Sequence, residues 1–222
     1  MSVKKNLEQI KQNIKLACKR SQRNPDDITI IGVTKYVTIE RTKEAIEAGI
    51  THVGENRTDE FLNKYEQVGE EATWHFIGTL QSRKARDIIE QVDVIHSLDR
   101  MSLAKQINKR ASKPIDCFVQ VNVSGEETKH GLSKKEVLSF IENLADYENI
   151  HVIGLMTMAP HIQDENKLRD IFKQLAMLRD QVKAKSFSHA PCTYLSMGMS
   201  NDYEIAIEEG ATHIRIGSDL VG

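Results

Sequence analysis

Cysteine is scarce. The 222 residues hold three, Cys18, Cys117 and Cys192, widely spaced and with no CxxC pair. That excludes a disulfide framework and suits a reducing compartment. Neither sign of charge is in excess: 30 Lys and Arg face 32 Asp and Glu, for a net charge of −2 and a pI near 6.5. Nothing therefore points to nucleic acid, and no polybasic run points to a membrane surface. No apolar run approaches the length of a membrane span. The opening "MSVKKNLEQIKQNIKLACKR" is charged throughout, with Leu7, Ile10, Ile14 and Ala17 at helical spacing. It predicts a soluble amphipathic helix, not a signal peptide, and a cytoplasmic location. No Pro/Gly-rich linker, low-complexity tract or fixed-period repeat divides the chain, so residues 1–222 read as one domain. No HxH or HExxH pair occurs, which leaves a metal-dependent hydrolase with little support. His52, His75 and His96 read as satisfied core or rim groups near strand ends, and no metal ligand is expected.

What is present is alternation. Strand-like runs fall at 28–34, 50–54, 73–78, 92–97, 115–123, 151–158, 193–198 and 212–217. Helix-like segments such as "IERTKEAIEAG", "RTDEFLNKYEQV" and "DENKLRDIFKQLAMLRDQVKA" lie between them. Unbroken alternation implies parallel strands joined by right-handed crossovers. Eight units favour a closed (β/α)8 TIM barrel of the α/β class over an open sheet. The last strand is expected to lack a following helix, and the extra N-terminal helix would cover that gap.

In such a barrel the site lies at the C-terminal ends of the strands. Lys35 closes "ITIIGVTKYVT" and shares a face with Thr29, Ile31 and Val33. Lys35 either snorkels into water at the strand end or, if that face is the interior, enters the mouth as a desolvated amine able to attack carbonyls. Asn56, in "VGENR", is either a helix-start residue or a polar site group. Gly78 permits a close backbone approach, and Gln81 is either a ligand contact or a helix-start residue. "VQVNVSGEETKHG" reads as a long mobile loop. In "LSMGMSND" a strand ends, Gly198 supplies flexibility, and Ser200 precedes a helix start near Asn201, so Ser200 is either an ordinary N-cap or part of an arrangement that binds phosphate. Arg215 interrupts the apolar strand "THIRIG". By parity it points inward while Ile214 and Ile216 point out, and a buried arginine needs a partner. Gly217 and Ser218 add small groups beside it, and loops after strands seven and eight frequently hold phosphate. A lysine, a phosphate cradle and an arginine fit an aldehyde-bearing phosphorylated cofactor, with pyridoxal 5'-phosphate (PLP) the natural candidate and the lysine its Schiff base.

The ordered motifs "GVTKYV", "HVGENR", "WHFIGTLQSRK", "IHSLD", "VQVNVSGEETKHG", "GLMTM", "LSMGMSNDYEIAI" and "ATHIRIGS" span nearly the whole chain. Together they resemble the pyridoxal phosphate homeostasis protein family. The resemblance implies a barrel like the N-terminal domain of alanine racemase standing alone. It implies PLP held as a covalent aldimine on Lys35, with Arg215 at the pyridine nitrogen. Ser200, Gly217 and Ser218 would surround the phosphate, Asn56 would lie near the ring, and Ser196 is a weaker candidate. The implied role is intracellular vitamin B6 and amino-acid balance without established turnover. PLP is the ligand, free amino acids or PLP-dependent apoenzymes are the candidate partners, and a monomer is expected. The alternative is an amino-acid racemase or related PLP enzyme. Against it stand the missing second domain, an arginine that disfavours ring protonation, and no dedicated second acid or base, with Tyr36 and His75 left as candidates. One departure is the ending "SDLVG", where family members often read Thr, a small residue and Ile-Phe-Gly, and where the chain stops sooner. Ser218 keeps the hydroxyl; Asp219 either points away or caps a short final turn.

Overall fold

The computed structural model describes residues 2–126 and 129–222. Eight parallel strands close into a barrel in chain order. They are β1 (Thr29–Val33), β2 (His52–Glu55), β3 (Thr73–Phe76), β4 (Val94–Leu98), β5 (Ile115–Gln120), β6 (Ile150–Met156), β7 (Tyr194–Met199) and β8 (His213–Ile216). Closure is the pairing of β1 with β8, which sets Ile31 beside Arg215. Around the barrel run α1 (Val3–Ser21), α2 (Ile39–Glu47), α3 (Thr58–Val68), α4 (Ala85–Ile88), α5 (Met101–Arg110), α6 (Val137–Glu142), α7 (Glu165–Lys183), α8 (Tyr203–Glu208) and α9 (Ser218–Val221). No helix among the described residues is long and apolar enough to cross a membrane.

The strand period of two divides the core into two layers. Outward residues such as Val53, Trp74, Ile95, Val119, Leu195, Ile214 and Ile216 share one large cluster with the helix stripes. Inside the barrel the apolar cluster is small, Val94, Phe118, Ile153 and Met156. His75, His96 and His213 are buried and pack by their rings on one another or on Phe118. The three histidines predicted near strand ends therefore belong to the strands themselves, with His75 and His96 inside the barrel.

α1 starts where Ser2 accepts the Lys5 N–H at 3.4 Å and buries Leu7, Ile10, Ile14 and Ala17. Each large apolar side chain so buried contributes about 1.5–3 kcal/mol at most. Asn13 donates to the Tyr203 hydroxyl at 2.9 Å and Asn6 to the Leu220 carbonyl at 3.0 Å, which seats α1 beside α8 and α9. The N-terminal helix thus covers the expected gap, yet β8 does have a following helix. Leu220 and Val221 are buried, and that apolar pair gives the short α9 something to pack with. Strand five also ends earlier than predicted. Val121 makes only an isolated bridge to Leu132, and of the loop predicted to be mobile, Glu127 and Thr128 lie outside the described residues.

Candidate functional site

A cavity of about 430 Å³ opens at the C-terminal end of the barrel. Lys35, Asn56, Ser200, Arg215, Gly217 and Ser218 all line it, so the six residues singled out from the sequence meet at one place. Ile77, Met158 and Met199 supply apolar wall. The volume suits a small cofactor.

Lys35 follows β1 in a tight turn in which the Val37 N–H donates to the Thr34 carbonyl at 3.2 Å. Tyr36 takes φ +66°, a left-handed conformation costly for a residue with a Cβ. Lys35 is exposed, the snorkelling alternative rather than the desolvated one, and its Nζ lies 5.6 Å from the Tyr36 ring centroid. What holds the turn was missed by the sequence reading. Lys64 of α3 reaches between helix and barrel and donates to the Thr34 carbonyl at 2.5 Å and to Glu55 Oε1 at 2.7 Å. The Thr34 hydroxyl donates to the same carboxylate oxygen at 2.6 Å. Burial pushes the Glu55 carboxyl above its ordinary range, while Lys64 and Thr34 hold it back. The available signal was Lys64 itself, which sits with Phe61 and Val68 on the buried stripe of α3.

Asn56 does not cap α3; Arg57 occupies that position and makes no side-chain cap. The Asn56 Oδ1 is buried without a hydrogen-bond partner, a site group in search of a donor. Gly78 does permit a close approach, but of protein: a Cβ there would lie 2.3 Å from the Asn56 carbonyl oxygen. Gln81 does not line the cavity and precedes the Ser82–Lys84 turn, so it is a helix-start residue.

On the opposite rim two loops converge, with the Ser200 and Ser218 hydroxyls 3.4 Å apart. Asp202 shapes the first loop by accepting the Met199 N–H at 2.6 Å. α8 begins at Tyr203, two residues later than predicted, because Asp202 is its N-cap. Gly198 sits at φ +94°, and a Cβ there would meet Ala206 Cβ at 2.6 Å. This glycine is a packing and backbone requirement and not the source of flexibility expected. Gly217 places no such atom within 3.4 Å and faces the cavity. Asp219 does not line the cavity and lies in the first turn of α9.

Arg215 is buried at the cavity floor. It donates to the Ser196 Oγ at 2.6 Å and to the Thr157 carbonyl at 3.0 Å. Burial pushes its pKa down to about 10, with Asp202 the nearby charge opposing the shift, so it stays cationic at neutral pH. Ser196, the weaker candidate, does not line the cavity; it supports Arg215 from beneath. His75 is likewise outside the cavity lining, and Tyr36 is 73% exposed.

A closed barrel with a lysine after the first strand, an arginine on the eighth and small hydroxyl loops after the seventh and eighth defines a class. Residues 6–222 match the family of the alanine racemase N-terminal domain. An alanine racemase of Clostridium difficile superimposes with a TM-score of 0.80 at 17% identity, over 100% of this chain and 56% of that one, a likeness of fold. Within that class the chain belongs to the pyridoxal phosphate homeostasis protein family. It is 40% identical to the Aquifex aeolicus protein of that name over 100% of this chain and 98% of the relative. The Escherichia coli protein is 32% identical over 98% and 94%. PipY of Synechococcus elongatus, solved with PLP bound, superimposes with a TM-score of 0.82 at 31% identity, covering 96% of this chain and 100% of that one.

Proposed function

We propose that this chain binds PLP at the barrel mouth and serves intracellular PLP homeostasis, holding the cofactor rather than turning over a substrate. The observation that carries this reading is the meeting of Lys35, Arg215, Ser200 and Ser218 around one cavity. The residues fit the group. Ser200, Ser218 and the free space at Gly217 offer donors and room to a phosphate. The orphaned Asn56 Oδ1 offers an acceptor to a ring hydroxyl. Lys35 would supply the amine facing the cofactor's aldehyde. PLP supplies an electron sink when its ring nitrogen is protonated. Arg215, a permanent donor, accepts no proton and cannot hold one on that nitrogen.

The reading of weak chemistry has a second support. Among the described residues lining the cavity, Lys35 and Arg215 are the only ionisable groups. Proton removal on one face of a substrate and return on the other needs two positioned groups. His75 lies beneath the cavity, outside its lining, and Tyr36 is held out in solvent. Free amino acids or PLP-dependent apoenzymes are the partners this reading assigns, with the protein a cytoplasmic monomer.

Titration with PLP, followed by absorbance, tests the site. PLP binds, and pyridoxal without its phosphate binds far more weakly. Lys35→Ala retains weakened PLP binding without the imine band. Equal affinity for pyridoxal and PLP removes the phosphate cradle.

A further inference from the structure

The barrel interior carries a line of polar side chains that the cavity does not account for. His52 Nδ1 lies 2.9 Å from His75 Nε2, His75 Nδ1 lies 2.8 Å from His96 Nε2, and His96 Nδ1 lies 2.9 Å from Ser196 Oγ. Ser196 in turn accepts from Arg215. The line climbs because the barrel is staggered. His75 pairs with Gly54, two residues above His52. Val94 pairs with His75, so His96 is again two residues higher. Its lower end, His52, lines a separate cavity of about 230 Å³ with Lys11 and Thr29. Its upper end is the floor of the mouth.

The protons on this line follow from its upper end. A guanidinium only donates. Ser196 Oγ therefore receives one hydrogen bond from Arg215 and has one proton to give. Among the described residues, His96 Nδ1 is its only recorded acceptor. Were His96 to donate instead, the hydroxyl proton would be buried without a partner. His96 thus accepts at Nδ1 and, as a neutral ring, carries its proton on Nε2. His75 and then His52 are forced into the same tautomer. Every lone pair then points up toward the guanidinium and every N–H points down.

We propose that Ser196, His96, His75 and His52 form one polarised hydrogen-bond chain, all rings neutral and protonated on Nε2, that positions Arg215 and offsets its buried charge. Among the described residues, Asp202 is the carboxylate whose charge acts on Arg215, and the chain's aligned dipoles add to it. Burial and neighbouring histidines hold His75 and His96 well below the ordinary histidine range, with Arg215 acting on His96 as well. The groups facing the line are His213, whose ring is 6.5 Å from that of His75, Phe118, stacked on His96 at 4.4 Å, and Asp93, the carboxylate that acts on His52. These residues touch no ligand; they are positioning residues. The chain itself is independent of what the mouth binds, while its effect on affinity rests on the PLP reading.

Two-bond ¹H–¹⁵N spectra of labelled, ligand-free protein test the chain directly. His75 and His96 show an unprotonated Nδ1 and a protonated Nε2, unchanged from about pH 8 to about 5.5, a window that spans the ordinary histidine pKa. Ser196→Ala removes the hydrogen bond to His96 Nδ1, so the His96 Nδ1 nitrogen shift moves toward that of a free lone pair while Nε2 stays protonated. An Nδ1–H form in the unsubstituted protein overturns the proposal, as does a ring titrating in that window or a His96 signature indifferent to Ser196→Ala. For positioning, His96→Leu weakens PLP about tenfold, the scale of one hydrogen bond to a charged group. His96→Gln, which offers an acceptor on one side and a donor on the other, recovers most of it. Should His96→Leu not fold, Ser196→Ala carries the same loss. Unchanged affinity in the folded variants contradicts the positioning role. If the unsubstituted protein binds no PLP, the cofactor reading falls and the tautomers still decide the chain.

Discussion

Lys64 and Glu55 show how much of a mouth residue's geometry is set from behind it. Lys35 has one turn of backbone to hold it, and the carbonyl that opens that turn is gripped by a buried ammonium. Lys64→Met leaves Glu55 buried beside a single hydroxyl. Breaking a buried pair from one side costs about 3–5 kcal/mol, so urea unfolding shows a loss of that order. Adding Glu55→Gln recovers part of it, and a double variant no better than the single contradicts the pairing. At the opposite rim, Ser200→Ala and Ser218→Ala each weaken PLP by about 0.5–2 kcal/mol, read by titration. The difference in legibility is physical. Arg215 was legible because strand parity decides which way a side chain points, and Lys35 because it follows the C-terminal end of a strand, where a barrel's mouth opens. Glu55 and Lys64 were not, because their pairing joins two layers of the fold.

At the scale of elements, the strand–helix alternation made the barrel and the helices around it legible. The element ends were less so. The loop after β7 illustrates why: Asp202 takes its carboxylate to the Met199 N–H, and that local bond delays α8. Gly198 lets the chain turn over α8. Gly198→Ala adds a Cβ into Ala206 at a left-handed φ, and overpacking of this kind costs about 1–3 kcal/mol before backbone strain. Thermal unfolding and PLP affinity fall together, because the same loop carries Ser200. A variant as stable as the parent contradicts the packing account. The climbing histidines were invisible at this scale for a related reason. Their contacts depend on the stagger between strands, and no single strand's sequence states it.

For the whole molecule, the polar barrel interior has a consequence for stability. Burial lowers the pKa of His75, His96 and His213, the last to about 3. Their unfolded pKa is near 6.5, so below that value the unfolded chain binds protons that the folded one refuses. Stability is then fully present above pH 6.5 and lost as pH falls toward the folded values. Three such groups remove about 4 kcal/mol between roughly pH 7.5 and pH 5.5. The raised Glu55 carboxyl works in the other direction and offsets part of this. Melting temperature therefore falls over that interval, and a flat or rising profile contradicts neutral buried histidines.

If the cofactor is held as proposed, a single lysine at the end of the first strand, Lys35, carries it in this barrel. Borohydride reduction of the PLP-loaded protein, followed by peptide mapping, tests it most directly. A pyridoxyl group is expected on Lys35 and on no other lysine. A label on a different lysine, or none on a protein that has bound PLP, contradicts it.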